Sequence, residues 1–160
     1  EQVREIFRGD INNWKTVGGI DQPIVVVTRL HCKKRPGHWK TILPSHKKFR
    51  QERLNVKSAS AMVQRVSDFK GSFGHTGATW EFKPEGNVKV ISVNGVRPTA
   101  KNLANGSYPF FRQMSAITNL NPSPAVVKLI KEAQTGPAFR KVAEKYELLP
   151  LNPLQSSSKP

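Results

Sequence analysis

The chain has 160 residues, of which 37% are hydrophobic, and its 26 Lys and Arg against 11 Asp and Glu give a formal net charge of +15. That composition supports one globular domain, or one lobe and part of another, with a real core, and it biases partners toward anions: phosphate-like ions, nucleic acid, acidic proteins or anionic lipid surfaces. No apolar run approaches the roughly 20 residues that cross a bilayer, and the opening EQVREIFRG lacks the apolar centre and small-residue cleavage site of a signal peptide.

Val3, Ile6 and Phe7 recur at helical spacing, which predicts a helix over Gln2–Phe7 stopped by Gly9. Asp10–Trp14 (DINNW) reads as a polar turn anchored by Trp14, and Val17–Pro23, with Gly18-Gly19, as a loop. The short β-branched run Ile24–Val27 predicts a buried strand ending on Thr28 and Arg29. A loop with Lys33, Lys34 and Arg35 follows, then Pro36-Gly37 and a short helix, Gly37–Leu43, in which Trp39, Ile42 and Leu43 share an apolar face. Strand, polar loop and helix start form an anion-binding layout, because unpaired N–H groups and the peptide dipoles point outward there. The same residues equally describe a strand-to-helix connection whose charges face water.

Ser45 is placed to cap a second, basic helix over Lys47–Arg53. Ser58–Phe69 reads as a helix with Ala61, Met62, Val66 and Phe69 on one face. GSFGHTG, Gly71–Gly77, is expected to be a strand with a tight turn, and VKVISV, Val88–Val93, a half-buried strand. Asn94–Gly106 is a loop with a helical turn at Ala100–Ala104, and Tyr108–Thr118 is extended. Pro122–Thr135 is a helix capped by Ser123 before Pro124, with Val126, Val127, Ile130 and Ala133 as its apolar face. A last helix spans Pro137–Tyr146, and residues 152–160 form a polar tail expected to be disordered. Strands alternating with helices indicate an α/β layer fold.

The single cysteine, Cys32, excludes an intrachain disulfide. Lys33 and Lys34 beside it favour a thiolate, but a nucleophile also needs a placed base, and His31 and His38 are near only in sequence. His31, Cys32 and His38 lack the paired spacing of a zinc site, so no metal is expected. No carboxylate pair suggests acid–base hydrolysis, and neither phosphate-loop nor dinucleotide glycine motif occurs, so no cofactor and no enzymatic activity are expected. Trp39, Phe49 and the basic cluster offer stacking and phosphate contacts, which makes nonspecific, salt-dependent nucleic-acid binding one alternative. A basic docking module for an acidic protein in an envelope assembly is another.

The order of the motifs carries a resemblance. EIFRGDINNW at Glu5–Trp14, then Val17-Gly18-Gly19, then the strand ending Val27-Thr28-Arg29, is similar to the middle of phosphate-type periplasmic substrate-binding proteins. GSFGHTG resembles that family's second cleft strand, Val88–Arg112 resembles its segment running from a strand through Asn-Gly-Val and Pro-Thr to Tyr-Pro and Arg, and the last two helices resemble its C-terminal pair. The resemblance covers Glu1 to about Leu151 and identifies a short or truncated member that begins after the family's first-lobe strand.

The resemblance implies a type II periplasmic-binding fold: a mixed sheet flanked by helices, with residues 1–108 like the second lobe and 109–151 like the return to the first. It also implies a periplasmic or secreted protein that holds a phosphate-like oxyanion for an ABC transporter permease and performs no chemistry. Arg29 carries over as the main ligand contact and Gly37, at a helix start, more loosely. The family's Ser-Gly-Ser/Thr donors are replaced by LHCKKRPGHW, Leu30–Trp39, which leaves an anion preference. Thr28, Lys33, Lys34, Arg35 and His38 are the other candidates around that loop. Ser72, His75 and Thr76 are the candidates on the second strand.

Overall fold

The computed structural model describes residues 1–31, 35–77, 88–111, 115–146 and 148–149. Lys33, Lys34, Cys32, Trp80, Arg112 and the polar tail lie outside them. The chain divides into two units, Glu1–Val90 and Ile91–Pro160.

In the first unit, helix α1 (Gln2–Arg8) buries Ile6 and Phe7. Gly9 ends it at φ 95°, a left-handed conformation that costs glycine little, and its N–H donates to the carbonyls of Glu5 and Ile6. The polar turn expected over Asp10–Trp14 lies later, as a 3-10 turn at Trp14–Val17 that begins where Asn13 accepts from the Lys15 N–H. Trp14 anchors it by donating from Nε1 to the Gly71 carbonyl at 2.8 Å.

Strand β1 (Val25–His31) is the hub of a four-stranded mixed sheet. It pairs antiparallel with β2 (Arg35–Pro36), Leu30 facing Pro36 and His31 facing Arg35. It pairs parallel with β3 (Leu54–Val56), Thr28 facing Asn55, and with β4 (Ser72–Phe73), Val26 facing Phe73. Helix α2 (Trp39–Ile42) follows β2, and α3 (Ala59–Asp68), capped by the Ser58 hydroxyl on the Ala61 N–H, lies between β3 and β4. Successive β1 side chains point to opposite faces. Val26 packs with Ile6, Phe7, Ile42, Leu43, Phe49 and Phe73, and Val27 with Val56 and Met62. Burial on both faces explains why the strand reads as an apolar run rather than an alternation.

Several expectations are corrected here. β1 extends to His31, so Thr28 and Arg29 lie inside the strand. The chain then returns as β2 instead of entering a helix at Gly37; α2 begins at Trp39 after His38 adopts φ 54°, and it is only 4 residues long. The basic helix over Lys47–Arg53 is a 3-10 turn, His46–Lys48, with no side-chain cap from Ser45. Phe49 drops into the core at 2% exposure, and the Arg50 N–H donates to the Phe7 carbonyl, so the tertiary contact takes the backbone group a helix would need. Strand β4 is shorter than the GSFGHTG stretch. Val88–Val93 is not a strand: only Val93 bridges, to Val96 across Asn94 and Gly95, whose φ values of 52° and 75° suit a two-residue hairpin turn. Alternation alone cannot make a strand without a ladder partner, and among the described residues 88–92 has none. Phe69 also leaves its expected apolar face, at 39% exposure.

In the second unit, α4 (Ala100–Ala104) is capped by Thr99, and α5 (Pro124–Thr135) by Ser123 with Pro124 in its first turn. Gly136 separates α5 from α6 (Pro137–Tyr146). The apolar face of α5 is only partly covered: Val127 and Ile130 are half-buried, while Val126 and Leu129 are exposed. Among the described residues, every fully buried hydrophobic except Ala143 belongs to the first unit. The fold is α/β, a mixed sheet flanked by helices with a C-terminal helix pair.

Phe7 meets Phe49 edge to face and Phe73 at a tilt, at ring-centroid distances of 5.6 and 5.2 Å. Phe7→Ala is expected to cost about 3–5 kcal/mol in urea unfolding, through lost burial and the cavity left behind. Leu129→Ala, on the open face of α5, is expected to cost under about 0.5 kcal/mol. Equal losses from both substitutions would contradict this placement of the core.

Candidate functional site

Strands β1, β3 and β4 are mutually parallel, so their carboxyl ends, at His31, Val56 and Phe73, lie toward one end of the sheet, with Arg29 level with Val56. In open α/β sheets that end is where ligands bind. The two remaining pairings of β1 converge there. In the β1–β2 register Leu30 faces Pro36, so Thr28 comes opposite His38; in the β1–β4 register Val26 faces Phe73, so Thr28 comes opposite His75. The chain leaving β2 and the chain leaving β4 are thus directed at the same place. They meet there, with His38 Nδ1 and His75 Nε2 2.9 Å apart and the rings edge to face at 5.0 Å. The left-handed backbone of His38 then turns the chain away into α2.

Thr28 is 2% exposed and its hydroxyl donates to Asn55 Oδ1 at 2.8 Å. Asn55 has no counterpart among the sequence-derived candidates. Strand β3, which carries it, is three residues long, too short for a period to be read. Arg29 takes the opposite face of β1, level with Val56. Gly37 runs directly over it: its N–H donates to the Arg29 carbonyl, and a Cβ there would lie 3.5 Å from Arg29 Cβ. Gly37 is therefore a point of close chain approach in this hairpin, not the first residue of a helix. The Arg29 side chain is half-buried and its Nε is shielded, with no hydrogen-bond partner among the described residues.

His75 Nδ1 is likewise buried and unpartnered among the described residues, and the ring stands edge-on to Phe7 at 6.1 Å. Burial, then the nearby His38 and then the Arg29 charge, push its pKa down to about 4. His75 is therefore neutral at neutral pH. With one proton between the two rings, a His38 Nδ1–H donating to His75 Nε2 leaves His75 carrying its own N–H on Nδ1. The Arg29 charge is near enough to lower the His75 pKa, and neither shielded nitrogen has an acceptor among the described residues.

A family model described as a PBP superfamily domain matches residues 1–136. The chain belongs to the PBP superfamily. Curated relatives include the phosphate-binding protein PstS of Bacillus subtilis, 29% identical over 119 residues, and that of Borreliella burgdorferi, 28% identical over 127. Each match takes in 74% of this chain but only 38% and 46% of those proteins, so the chain spans less than half the length of the curated relatives it matches. A Clostridium perfringens protein described as a phosphate ABC transporter substrate-binding protein, solved with bound phosphate, superposes with TM-score 0.75 at 20% identity, covering 94% of this chain and 61% of that one. PstS from Borrelia burgdorferi gives 0.66 at 25%, covering 90% and 60%. An ABC-type phosphate transport receptor from Vibrio cholerae gives 0.62 at 23%, covering 91% and 60%. The likeness to these structures is one of fold, the type II periplasmic-binding architecture expected from the motif order.

Within this PBP-superfamily sheet the other sequence candidates are placed as follows. Ser72 donates from its hydroxyl to the Val66 carbonyl at 2.7 Å, which ties β4 to α3. Thr76 is exposed, beyond the end of β4. Arg35 is exposed, with its guanidinium 5.8 Å from the Trp39 ring centre. The structure thus gathers Thr28, Arg29, Gly37, His38 and His75, adds Asn55, and leaves Ser72, Thr76 and Arg35 engaged elsewhere or in solvent.

The His75 shift makes a pH prediction. Its folded pKa lies below the ordinary histidine value near 6.5, so between about pH 6.5 and 4 the unfolded chain binds a proton that the folded chain refuses. Stability from this group is complete above pH 6.5 and is lost as pH falls to about 4. His75→Gln is expected to flatten the melting temperature over that window, and the imidazole proton resonances of His75 should titrate near pH 4. Titration near 6.5 would contradict the shielded placement.

Proposed function

We propose that this chain binds phosphate or a similar oxyanion, without catalysis, at the carboxyl ends of β1, β3 and β4. One observation carries the reading: the shielded Nε of Arg29 and the shielded Nδ1 of the neutral His75 both lack a partner among the described residues. Leaving a buried charged donor unmatched is costly, and a charge-assisted bond to an oxyanion relieves that cost. In this reading Arg29 is the principal ligand contact and His75 a neutral second donor. His38 fixes the His75 tautomer, and Thr28 and Gly37 hold the strand and hairpin in place. Ser72 and Thr76 form the margin on the β4 side. Lys33, Lys34 and Arg35 supply a positive field that draws anions in. The names of the matched relatives, phosphate-binding proteins and transport receptors, support the same ligand and a role as the receptor of an ABC transporter in the periplasm or outside the cell. The division into a second-lobe part, residues 1–108, and a first-lobe return, residues 109–151, belongs to this reading too.

A ligand that binds only the folded state raises its melting temperature as its concentration exceeds the dissociation constant. Phosphate, sulfate, molybdate and tungstate at millimolar concentration are expected to separate by the shifts they cause. With the strongest of them, Arg29→Ala should lose about ten- to a hundredfold in affinity, the equivalent of roughly 1.5–3 kcal/mol for a charge-assisted bond. Arg29→Lys should lose nearly as much, because an ammonium lacks the planar fork. Arg35→Ala, on an exposed residue, should lose under about fivefold. Equal losses at Arg29 and Arg35, or no thermal shift with any of the four anions, would overturn the assignment.

A further inference from the structure

We propose that Asn94 is a site of covalent self-modification, converting through a cyclic imide to isoaspartate and aspartate, while the like pair Asn105-Gly106 is slowed by its hydrogen bonds. The chain carries these two Asn-Gly pairs, both in the second unit. In such a pair the glycine nitrogen attacks the asparagine Cγ. The new N–C bond closes a five-membered imide, and Nδ2 leaves as ammonia with the proton of the attacking nitrogen. Water then opens the ring. Cleavage at Cγ returns aspartate in the ordinary chain; cleavage at the backbone carbonyl leaves isoaspartate, with the chain routed through Cγ. Asparagine and water are consumed and the acid and ammonia are formed, with no oxidant, reductant or other co-reactant. Glycine favours the attack because it has no side chain to obstruct it and the freest backbone.

The two pairs differ in the state of their reacting groups. Crowding does not separate them: a Cβ on Gly95 or on Gly106 would meet nothing within 4 Å. Asn94 and Gly95 are both exposed, and neither the Gly95 N–H nor the Asn94 carboxamide has a hydrogen-bond partner among the described residues. The turn is closed by the isolated Val93–Val96 bridge, with bonds of 2.9 and 3.0 Å. A closure of that kind opens locally at small cost, which frees the Asn94 backbone to bring Cγ onto the Gly95 nitrogen. At the end of α4 the nucleophile is already engaged: the Gly106 N–H donates to the Leu103 carbonyl at 3.2 Å. The carboxamide is held as well, Asn105 Oδ1 accepting from the Ser107 N–H at 3.0 Å. The Ser107 hydroxyl and the Tyr108 N–H both donate to the Asn102 carbonyl, at 3.2 and 3.0 Å, and tie down the chain that follows. Attack at Asn105 therefore requires several bonds to break together. At Asn94, isoaspartate lengthens a two-residue turn by one backbone atom and breaks the Val93–Val96 pairing, and either product places a carboxylate where the carboxamide stood.

The full chain is held at mildly alkaline pH and physiological temperature, folded and in urea, and digested at intervals for mass mapping of the peptides that carry Asn94 and Asn105. Exchange of the amide for an acid is read from the mass gain, and isoaspartate from its separate elution; Asn94→Gln removes the product assigned to Asn94 and leaves that of Asn105. Asn94 is expected to convert at least about fivefold faster than Asn105 in the folded chain, the factor that one hydrogen bond of ordinary strength supplies. In urea the two are expected to convert at like rates. Amide hydrogen exchange gives an independent readout: the Gly95 N–H should exchange close to the rate of an unprotected amide, and the Gly106 N–H several-fold more slowly. Equal conversion in the folded chain, faster conversion at Asn105, or no conversion of folded Asn94 while both pairs react in urea would overturn the assignment, as would a Gly95 amide protected as well as that of Gly106. None of these outcomes bears on the β1 site.

Discussion

Strand β1 supplies the backbone partners for β2, β3 and β4, and both its faces lie against the core. A strand so placed has no tolerance of register. A slip by one residue would exchange Val26 for Val27 and turn the Phe7 cluster and the Met62 cluster inside out. The same fixity sets the site. Two segments paired to β1 from opposite directions are both directed at Thr28, and a sheet edge has room for one. The chains stop against each other, and the residues at the collision, His38 and His75, become neighbours although 37 positions separate them. The site is thus a consequence of how the sheet ends rather than an addition to it.

Electrostatics at this end of the sheet follow from burial. Two cations cannot both be sheltered there cheaply. Arginine remains protonated under all ordinary conditions, whereas histidine gives up its proton within reach of neutral pH. The conflict is resolved at His75, whose pKa falls to about 4 under burial and the neighbouring His38 and Arg29. One fixed positive charge and one neutral imidazole result. An approaching anion would reverse the balance by stabilising the imidazolium, so ligand and proton would favour each other's binding as pH falls.

Much of this was legible in the sequence where a local rule met no tertiary competitor. Gly9 ends α1, Ser58 and Ser123 cap α3 and α5, and the helical turn at Ala100–Ala104 forms where it was expected. The apolar run at Ile24–Val27 marked β1, and the motif order marked the family. The failures have tertiary causes. Pro36-Gly37 reads as a route into a helix, yet Gly37 is needed where the hairpin crosses Arg29. Lys47–Arg53 has helical composition, but seating Phe49 in the core unwinds it. β3 and Asn55 left no periodic trace, because three residues paired to a distant strand carry no period. The His38–His75 contact could have been found only from two registers, and registers are not readable from one chain.

The same distinction governs the charge. Twenty-six basic residues create a positive field, and a field raises encounter rates with any anion without selecting one. Selection needs donors whose alternatives have been removed. An exposed Arg35 over Trp39 exchanges one set of waters for another when an anion arrives, so its contribution is small and falls further with salt. Arg29 has already surrendered part of its water to the fold, and its shielded Nε has no partner among the described residues. For such a group an arriving oxyanion would complete a bond rather than exchange one, which is the premise of the proposed site. Where a basic protein recognises its partner is therefore decided less by where positive charge is densest than by where it is least hydrated.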